Sequence, residues 1–267
     1  KDFVVVLDFI GSYKNNYLIP IALSGDYSYS KDSMRRLVST GSAAIAGPSS
    51  IHFDPIARER IFKAIDNANT HSIQLLKSAY TQLKLKLGRI PSLNDYEPHG
   101  TIDAVKFFSI GRKPSSYYDF LKKHEPKLSE TLSPVAALML RYLSSRIGSA
   151  KRVSEALALE AALAPGGGEA NLWDRLRESL QETYGIRPAD RHLENVFLVL
   201  GNRFGKTAAE MQAWASCELV RQEGPRDFRA SAGLLRELAA SAAFRQRLQE
   251  LIRFVKHRYE SLFSRRY

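Results

Sequence analysis

Cysteine is almost absent from this sequence. Cys217 is the one cysteine among 267 residues, so an internal disulfide is impossible and a zinc site built mainly from cysteines is excluded. Proteins with so little cysteine are typical of reducing compartments. We therefore expect a cytoplasmic location.

Long hydrophobic runs are absent as well. No apolar stretch approaches the roughly 18–20 residues that a membrane-spanning helix needs. The N-terminal run Val4–Leu7 is short and is followed by Asp8, which is not the pattern of a secretory signal peptide. The sequence therefore predicts no membrane partner.

Acidic residues are too few to balance the basic ones. Lysine and arginine number 39 against 28 aspartates and glutamates, which gives a net charge of +11 and a pI near 9.7. Hydrophobic residues make up 44% and charged residues 25%, a composition typical of folded proteins. The excess charge favours a polyanionic partner over a merely solvated basic surface. Of the two such partners, nucleic acid and an acidic membrane surface, we expect nucleic acid.

The sequence also shows no catalytic motif. In Val196–Thr207 (VFLVLGNRFGKT), Gly201 and Gly205 enclose three residues, whereas a phosphate-binding Walker loop needs four. The six histidines show no pair at metal-ligand spacing, and Glu125-Pro126-Lys127 resembles the E-x-K of nucleases without a strand or an acidic partner. We assign no catalytic residue, metal ligand or cofactor site and leave enzymatic activity open.

The stretch Val4–Asp26 suggests an incomplete domain. Val4–Leu7 has the continuous apolar character of a strand buried on both faces, as in parallel sheets. A parallel neighbour requires a crossover of a dozen or more residues, which Lys1–Phe3 cannot supply. We expect this run to be the last strand of a larger domain, either paired with Tyr17–Leu23 or covered by another molecule. Because Pro20 interrupts Tyr17–Leu23, an edge strand or extended segment is predicted there.

The central part of the chain predicts short helices. After a possible strand at Ile51–Phe53, Asp54-Pro55 begins a helix to about Ala68, and a second helix runs from Thr70 to Gly88. Between Gly88 and Lys123, short apolar stretches separated by turn residues predict three short helices. They fit a helix-turn-helix-like unit and equally a small helical bundle.

The C-terminal half predicts a winged helix. Helices are expected from Ser133-Pro134 to Gly148 and over Arg152–Leu163. Asn171 then caps a helix that ends at Gly185, and a second helix follows Pro188. Candidate strands at Glu218–Gln222 and Asp227–Ala230 complete the pattern of helix, turn, helix and hairpin over Trp173–Ala230. A basic amphipathic helix is expected over Leu234–Phe263.

Together these patterns predict a mainly α chain with small β elements. The expected order is a terminal strand region of a larger domain (residues 1–27), a linker (28–50), a basic helical module (51–128) and a winged-helix-like domain with a terminal basic helix (129–267).

Several stretches carry a resemblance to a known family. VVVLDFIGSYKNNYLIPIALSGD, SIHFD before a helix, LKLGRIPSLNDY, SSYYDFL and LQETYGIRPADRHLENVFLVL resemble the uncharacterised C-terminal region that follows the helicase core of bacterial superfamily II (DEAD/DEAH-type) helicases. Some members of that family carry a phospholipase-D-like nuclease domain at the other end. The resemblance covers essentially the whole chain and is strongest over Val4–Leu121.

The resemblance implies that the LDFIG segment closes the second RecA-like lobe of a motor. It places the ATPase motifs, and with them ATP and Mg²⁺, upstream of Lys1, so the implied partner in cis is the helicase core. Separately, LGRIPSLNDYEPHGTIDAVKFF and SSYYDFL are similar to small helical repeats associated with homing endonucleases, which are thought to bind DNA.

We therefore predict a nucleic-acid-binding accessory region that grips DNA beside a helicase motor. The alternatives are a protein-interaction or regulatory domain of the same helicase and a cryptic nuclease, and the oligomeric state is left open. Basic residues would meet phosphates, an aromatic ring would stack on bases, and the start of the recognition helix would meet base edges. The candidates are Lys14, Lys77, Lys84, Lys86, Arg89, Lys106, Arg112, Lys113, Tyr117 (with Tyr118 beside it), Lys122, Arg187, Arg191, Asn195, Lys206, Arg221 and Arg226.

Overall fold

A computed structural model describes residues 16–26, 30–41, 52–68, 73–99, 102–111, 113–204 and 207–262. Over these residues the chain is mainly helical with two small antiparallel hairpins, which confirms the predicted fold class. The chain divides into two compact units, one reaching Arg89 and including Tyr96–Asp103, the other comprising Ile90–Asp95 and the chain from Ala104 onwards. The module predicted over 51–128 is thus divided between them.

The described residues of the first unit contain four helices. They are α1 (Leu18–Ser24), α2 (Lys31–Thr40), α3 (Pro55–Asn67) and α4 (Ile73–Leu87). Helix α2 packs against α1 and α3, with Met34, Leu37, Val38, Ile61 and Ile65 buried. Asp54 caps α3 by accepting the N–H of Ile56 at 2.9 Å, as its position before Pro55 predicted.

Helix α1 corrects a prediction. Tyr17–Leu23 was expected to be extended because of Pro20, but Pro20 is the third residue of a helix. The first four N–H groups of a helix have no intrahelical acceptor, so a proline there removes no hydrogen bond. His52 and Phe53 lie in no regular element, and the strand predicted at Val4–Leu7 lies outside the described residues.

The second unit begins with short elements. Turns of 3-10 helix at Leu93–Asp95 and Ala104–Phe108 are followed by β1 (Ser109–Ile110), β2 (Lys113–Pro114) and α5 (Tyr117–His124). The three short helices predicted before Lys123 are therefore present, and the first two are of the 3-10 type. Five residues close into a 3-10 turn more readily than into an α-helix with a costly nucleus, and the α-helix begins only where Ser116 and Asp119 form a capping box.

The remaining elements follow the predicted order closely. They are α6 (Pro134–Ile147), α7 (Ser154–Leu163), α8 (Leu172–Tyr184), α9 (Asp190–Leu200), α10 (Ala208–Ala213), β3 (Val220–Gly224), β4 (Asp227–Ala230), α11 (Ala232–Ala240) and α12 (Ala242–Leu262). The single terminal helix expected from Leu234 is two helices. Ser241 is extended, and its hydroxyl accepts the N–H of Phe244 at 3.1 Å, so it caps a new helix.

A buried ion cluster anchors α12. The guanidinium of Arg247 donates to Glu130 and to Glu250, each at 2.8 Å, and its side chain is only 11% exposed. The carboxylate of Glu250 also accepts the N–H of Leu93 at 3.0 Å. Around this cluster α12 packs against α6, α7 and α11. No helix in the described part of the chain has both the length and the apolar composition to cross a bilayer.

Candidate nucleic-acid interface

Helices α8 and α9 are the two helices that were predicted on either side of a short turn. Asn171 starts α8 by accepting the N–H of Trp173 at 3.1 Å, and Gly185 ends it in the left-handed conformation at φ 66°, which glycine adopts without steric cost. A five-residue turn then leads into α9. Helix α7 packs against both helices and supports the pair.

Strands β3 and β4 form the predicted hairpin. They pair antiparallel, with Val220 opposite Ala230 and Gln222 opposite Phe228. The tip is the turn Pro225-Arg226, and Arg226 has a positive φ of 58°. The order of helix, turn, helix and hairpin is confirmed, with the first strand two residues later than predicted at each end.

Three aromatic rings join these elements. Trp173 of α8, Phe197 of α9 and Phe228 of β4 are 1%, 2% and 8% exposed. The rings of Phe197 and Phe228 stack at 4.3 Å between centroids, and Trp173 lies 5.8 Å from Phe228 and 6.1 Å from Phe197. One aromatic core therefore fixes the hairpin against both helices.

The side chain of Asn171 also holds the hairpin in place. Besides capping α8, its oxygen accepts the N–H of Phe228 at 3.2 Å, and its amide nitrogen donates to the carbonyl of Arg226 at 2.9 Å. The backbone at the hairpin tip is therefore tied to the start of α8. This contact joins residues 55 positions apart, so sequence spacing gives no sign of it.

The tip of the hairpin lies at the start of α9. The carboxylate of Asp190, the first residue of α9, pairs with Arg177 of α8 at 2.5 Å and with Arg226. Both guanidinium groups lie over the ring of Trp173, at 5.9 Å and 6.0 Å from its centroid. The predicted hairpin residue Arg226 and the predicted recognition helix are thus brought together.

Three predicted residues lie at this end of α9. Arg187 and Arg191 are exposed and Asn195 is half-buried. The guanidinium of Arg187 donates to the neutral side chain of Gln181 at 3.2 Å, a contact that leaves its charge uncompensated. Basic and amide groups therefore lie in the turn before α9 and along the first half of this helix.

The segment as a whole is charge-balanced, a feature that the net charge of the complete chain conceals. Residues 171–230 contain nine basic and nine acidic side chains, although the whole chain carries +11. Arg221, predicted to meet phosphate, pairs with Glu223 on its own strand. Lys206 lies outside the described residues. A charge count by segment would have found this balance.

The other basic candidates lie elsewhere. Lys77, Lys84, Lys86 and Arg89 belong to the first unit, on α4 and the two residues after it. In the second unit, Lys106, Lys113 and Lys122 lie between the second 3-10 turn and α5. Lys14 and Arg112 are outside the described residues. None of these nine belongs to the helix pair or the hairpin.

The structure corrects the prediction that Tyr117, with Tyr118 beside it, stacks on bases. Tyr117 and Tyr118 are 3% and 1% exposed, so their rings cannot stack on bases. The hydroxyl of Tyr117 donates to the carbonyl of Pro91 at 2.7 Å, and that of Tyr118 accepts the N–H of Leu132 at 3.0 Å. Both rings belong to the core because α5 buries the face that carries them.

A small apolar groove separates α9 from β3. Its cavity has a volume of about 220 Å³, with Phe197, Leu198, Val220 and Phe228 among its lining residues. Glu194, Arg203 and Gln222 complete the lining. Leu198 is 37% exposed, and Phe204 in the loop after α9 is 57% exposed.

A polar contact between α7 and α9 is sensitive to pH. The hydroxyl of Ser154 lies 2.8 Å from Nε2 of His192. Burial lowers the pKa of His192 because it penalises the imidazolium, and Arg152 lowers it further by charge repulsion. The neutral ring is therefore the form that fits the fold.

We expect this histidine to reduce stability in mild acid. Its folded pKa lies below the ordinary value of about 6.5, so the unfolded chain binds the proton first. The contribution is constant above about pH 6.5 and is lost as the pH falls below it. Urea unfolding at a series of pH values should show a smaller acid loss for His192→Gln than for wild type. His257→Gln, on the exposed side of α12, is the control, and equal acid losses in both variants would refute the assignment.

The described residues contain no cluster of potential metal ligands. No three histidine, cysteine, aspartate or glutamate side chains among them are grouped to hold a metal ion. Glu125, part of the E-x-K string, is 4% exposed, and its carboxylate accepts the N–H of Lys127 at 3.1 Å. This residue therefore shapes the turn after α5.

Comparison with known proteins identifies a family for this chain. A family model described as a domain of unknown function (DUF8090) matches residues 76–261, which include both the helix pair and the hairpin. No curated protein matches the chain at a significant level.

Proposed function

The chain belongs to the DUF8090 family of domains of unknown function, and we propose that its α8–α9–hairpin segment binds nucleic acid. The observation that carries this proposal is the meeting of the hairpin tip with the first turn of α9, through Arg226 and Asp190. Winged-helix proteins bind duplexes with these two parts, the helix reading bases and the hairpin touching the backbone.

The exposed groups are of the type such an interface needs. Arg187 and Arg191 provide donors for guanine edges or phosphates, and Asn195 can recognise adenine through its amide. The first turn of a helix also favours an anion. The aromatic core of Trp173 and Phe228 holds the tip in place, which limits the entropy lost on binding.

We propose a setting for this activity from the resemblance described above. The segment would hold DNA beside a superfamily II helicase motor, in the cytoplasm, with ATP and Mg²⁺ bound only by the motor. The proposal predicts that the complete polypeptide carrying this sequence also contains the motor's ATPase motifs. A complete polypeptide without them would remove the helicase setting and leave the binding proposal unaffected.

Loss of two arginines from α9 should weaken binding to a duplex. For Arg187→Gln/Arg191→Gln we expect affinity to fall about 10- to 100-fold, as when one or two specific contacts are lost. If both side chains meet phosphates, the slope of log affinity against log salt should become about 1.8 less steep, since each phosphate contributes about 0.9. Fluorescence anisotropy of a short labelled duplex measures both quantities.

A matched variant separates a local contact from a general loss of charge. Lys123→Gln/Lys127→Gln removes the same charge from exposed positions at the end of α5 and just after it, and we expect less than about a threefold loss of affinity, as for the loss of long-range attraction alone. An equal loss in both double variants would contradict the assignment of the interface to α9.

The charge balance of residues 171–230 favours a second candidate, a protein-binding surface. A neutral surface with an apolar groove and exposed Leu198 and Phe204 is suited to contacts with another protein. Leu198→Asp then separates the candidates. It should abolish binding to a protein partner in the groove, whereas the loss of duplex affinity should stay below that of the double arginine variant.

A further inference from the structure

We propose that Arg177 and Arg226, placed over the indole of Trp173, form a phosphate-binding site that the carboxylate of Asp190 occupies in the free protein. The inference deepens the proposed function, on which it rests, by assigning a backbone contact to the hairpin tip. It also makes Asp190 a residue that restrains binding.

The geometry is that of a site for a tetrahedral or planar oxyanion. Each oxygen of Asp190 faces a different guanidinium, Oδ1 that of Arg177 at 2.5 Å and Oδ2 that of Arg226. Guanidinium groups bind carboxylate and phosphate oxygens with the same planar donor pattern. Two converging arginines can therefore exchange one anion for the other.

The arginines are held in place independently of Asp190. Arg226 has a positive φ of 58°, and its carbonyl accepts the side-chain amide of Asn171 at 2.9 Å. Arg177 projects from the regular part of α8. Both guanidinium groups also contact the face of Trp173, at 6.0 Å and 5.9 Å from the ring centroid. The site should therefore keep its shape when the carboxylate leaves.

Exchange of the anion is energetically feasible. The side chains of Arg177, Arg226 and Asp190 are 45%, 63% and 38% exposed, and ion pairs exposed to this degree contribute little to stability. A phosphate arriving at this point would also lie at the first turn of α9, where the helix favours negative charge. Its approach is open from solvent.

The test compares two acidic residues one turn apart on α9. Asp190→Asn and Glu194→Gln each remove one negative charge, but only the first releases the two arginines. We expect Asp190→Asn to tighten duplex binding more than about threefold and by up to about 30-fold, the upper limit being set by freeing two exposed ion pairs. Glu194→Gln should tighten it less than about threefold, through reduced repulsion alone. The gain should vanish when Asp190→Asn is added to Arg177→Gln/Arg226→Gln.

Two results would overturn the inference. One is equal tightening by Asp190→Asn and Glu194→Gln in proteins with native thermal transitions. The other is a gain that persists without the two arginines. If Asp190→Asn does not fold, Asp190→Ser replaces it, because serine suits the first turn of a helix.

A titration with inorganic phosphate distinguishes failure of this site from failure of duplex binding. Trp214→Phe leaves Trp173 as the single tryptophan, so its fluorescence reports on the site alone. Added phosphate should change the fluorescence of Trp173 saturably in the Asp190→Asn variant. It should not change the fluorescence of the Arg177→Gln/Arg226→Gln variant. Absence of any saturable change in Asp190→Asn would contradict the site, whereas a wild type that binds no duplex at low salt would refute the proposed function.

Discussion

Phe197→Ala should destabilise the second unit by about 3–5 kcal/mol, the usual cost of removing a fully buried phenylalanine. Phe197 is 2% exposed and stacks on Phe228 at 4.3 Å and on Trp173 at 6.1 Å. The substitution removes the ring that joins α9 to the hairpin and leaves a cavity between three elements. We expect the hairpin to lose its position as well.

The same substitution at Phe204 is the matched control. Its side chain is 57% exposed, so Phe204→Ala should change the free energy of unfolding by less than about 0.5 kcal/mol. Urea unfolding followed by tryptophan fluorescence measures both variants, because Trp173 lies in the affected core. Similar costs at the two positions would show that the stack is not the core of this segment.

Arg247→Met should also cost about 3–5 kcal/mol, the range found when one partner of a buried ion pair is removed. The substitution keeps most of the apolar stem but leaves the carboxylates of Glu130 and Glu250 without their counter-ion. These side chains are 23% and 10% exposed, so water replaces the arginine poorly. Glu250 also accepts the N–H of Leu93, which links α12 to the start of the unit.

An exposed arginine on the same helix provides the comparison. Arg253→Met on α12 should change stability by less than about 0.5 kcal/mol, since Arg253 faces solvent. Thermal and urea unfolding of the two variants should therefore differ widely. If Arg247→Met costs no more than Arg253→Met, the ion cluster does not anchor α12.

The sequence predicted those elements whose signals are local. Asp54, Ser133 and Asn171 begin α3, α6 and α8 as their side-chain chemistry indicates, because a cap acts within three residues. The helix pair and the hairpin followed from periodicity and turn residues in the same way. Local chemistry was sufficient there.

The wrong predictions depended on information that local patterns do not contain. Pro20 was interpreted as breaking an element when it lies in the first turn of α1. Tyr117 was interpreted as exposed, but its ring packs against Phe107 at 5.0 Å between centroids. The position of Pro20 within its helix decided the first case, and the packing of Tyr117 against Phe107 decided the second.

The candidate site was predicted only in part for the same reason. Arg187 and Arg191 follow from the position of the second helix, and both are exposed. The pairing of Arg226 with Asp190 joins residues 36 positions apart, and no spacing rule relates a hairpin tip to a helix start at that distance. Whether an arginine is available to a ligand depends on such contacts.

The most direct test of the account is the affinity of the wild-type protein for a short duplex across a series of salt concentrations. If the start of α9 and the hairpin tip hold the backbone, binding should be detectable at low salt and should weaken steeply, with a log–log slope of about −0.9 for each phosphate contacted. A slope near zero, or no binding at low salt, would contradict the claim that this segment binds nucleic acid.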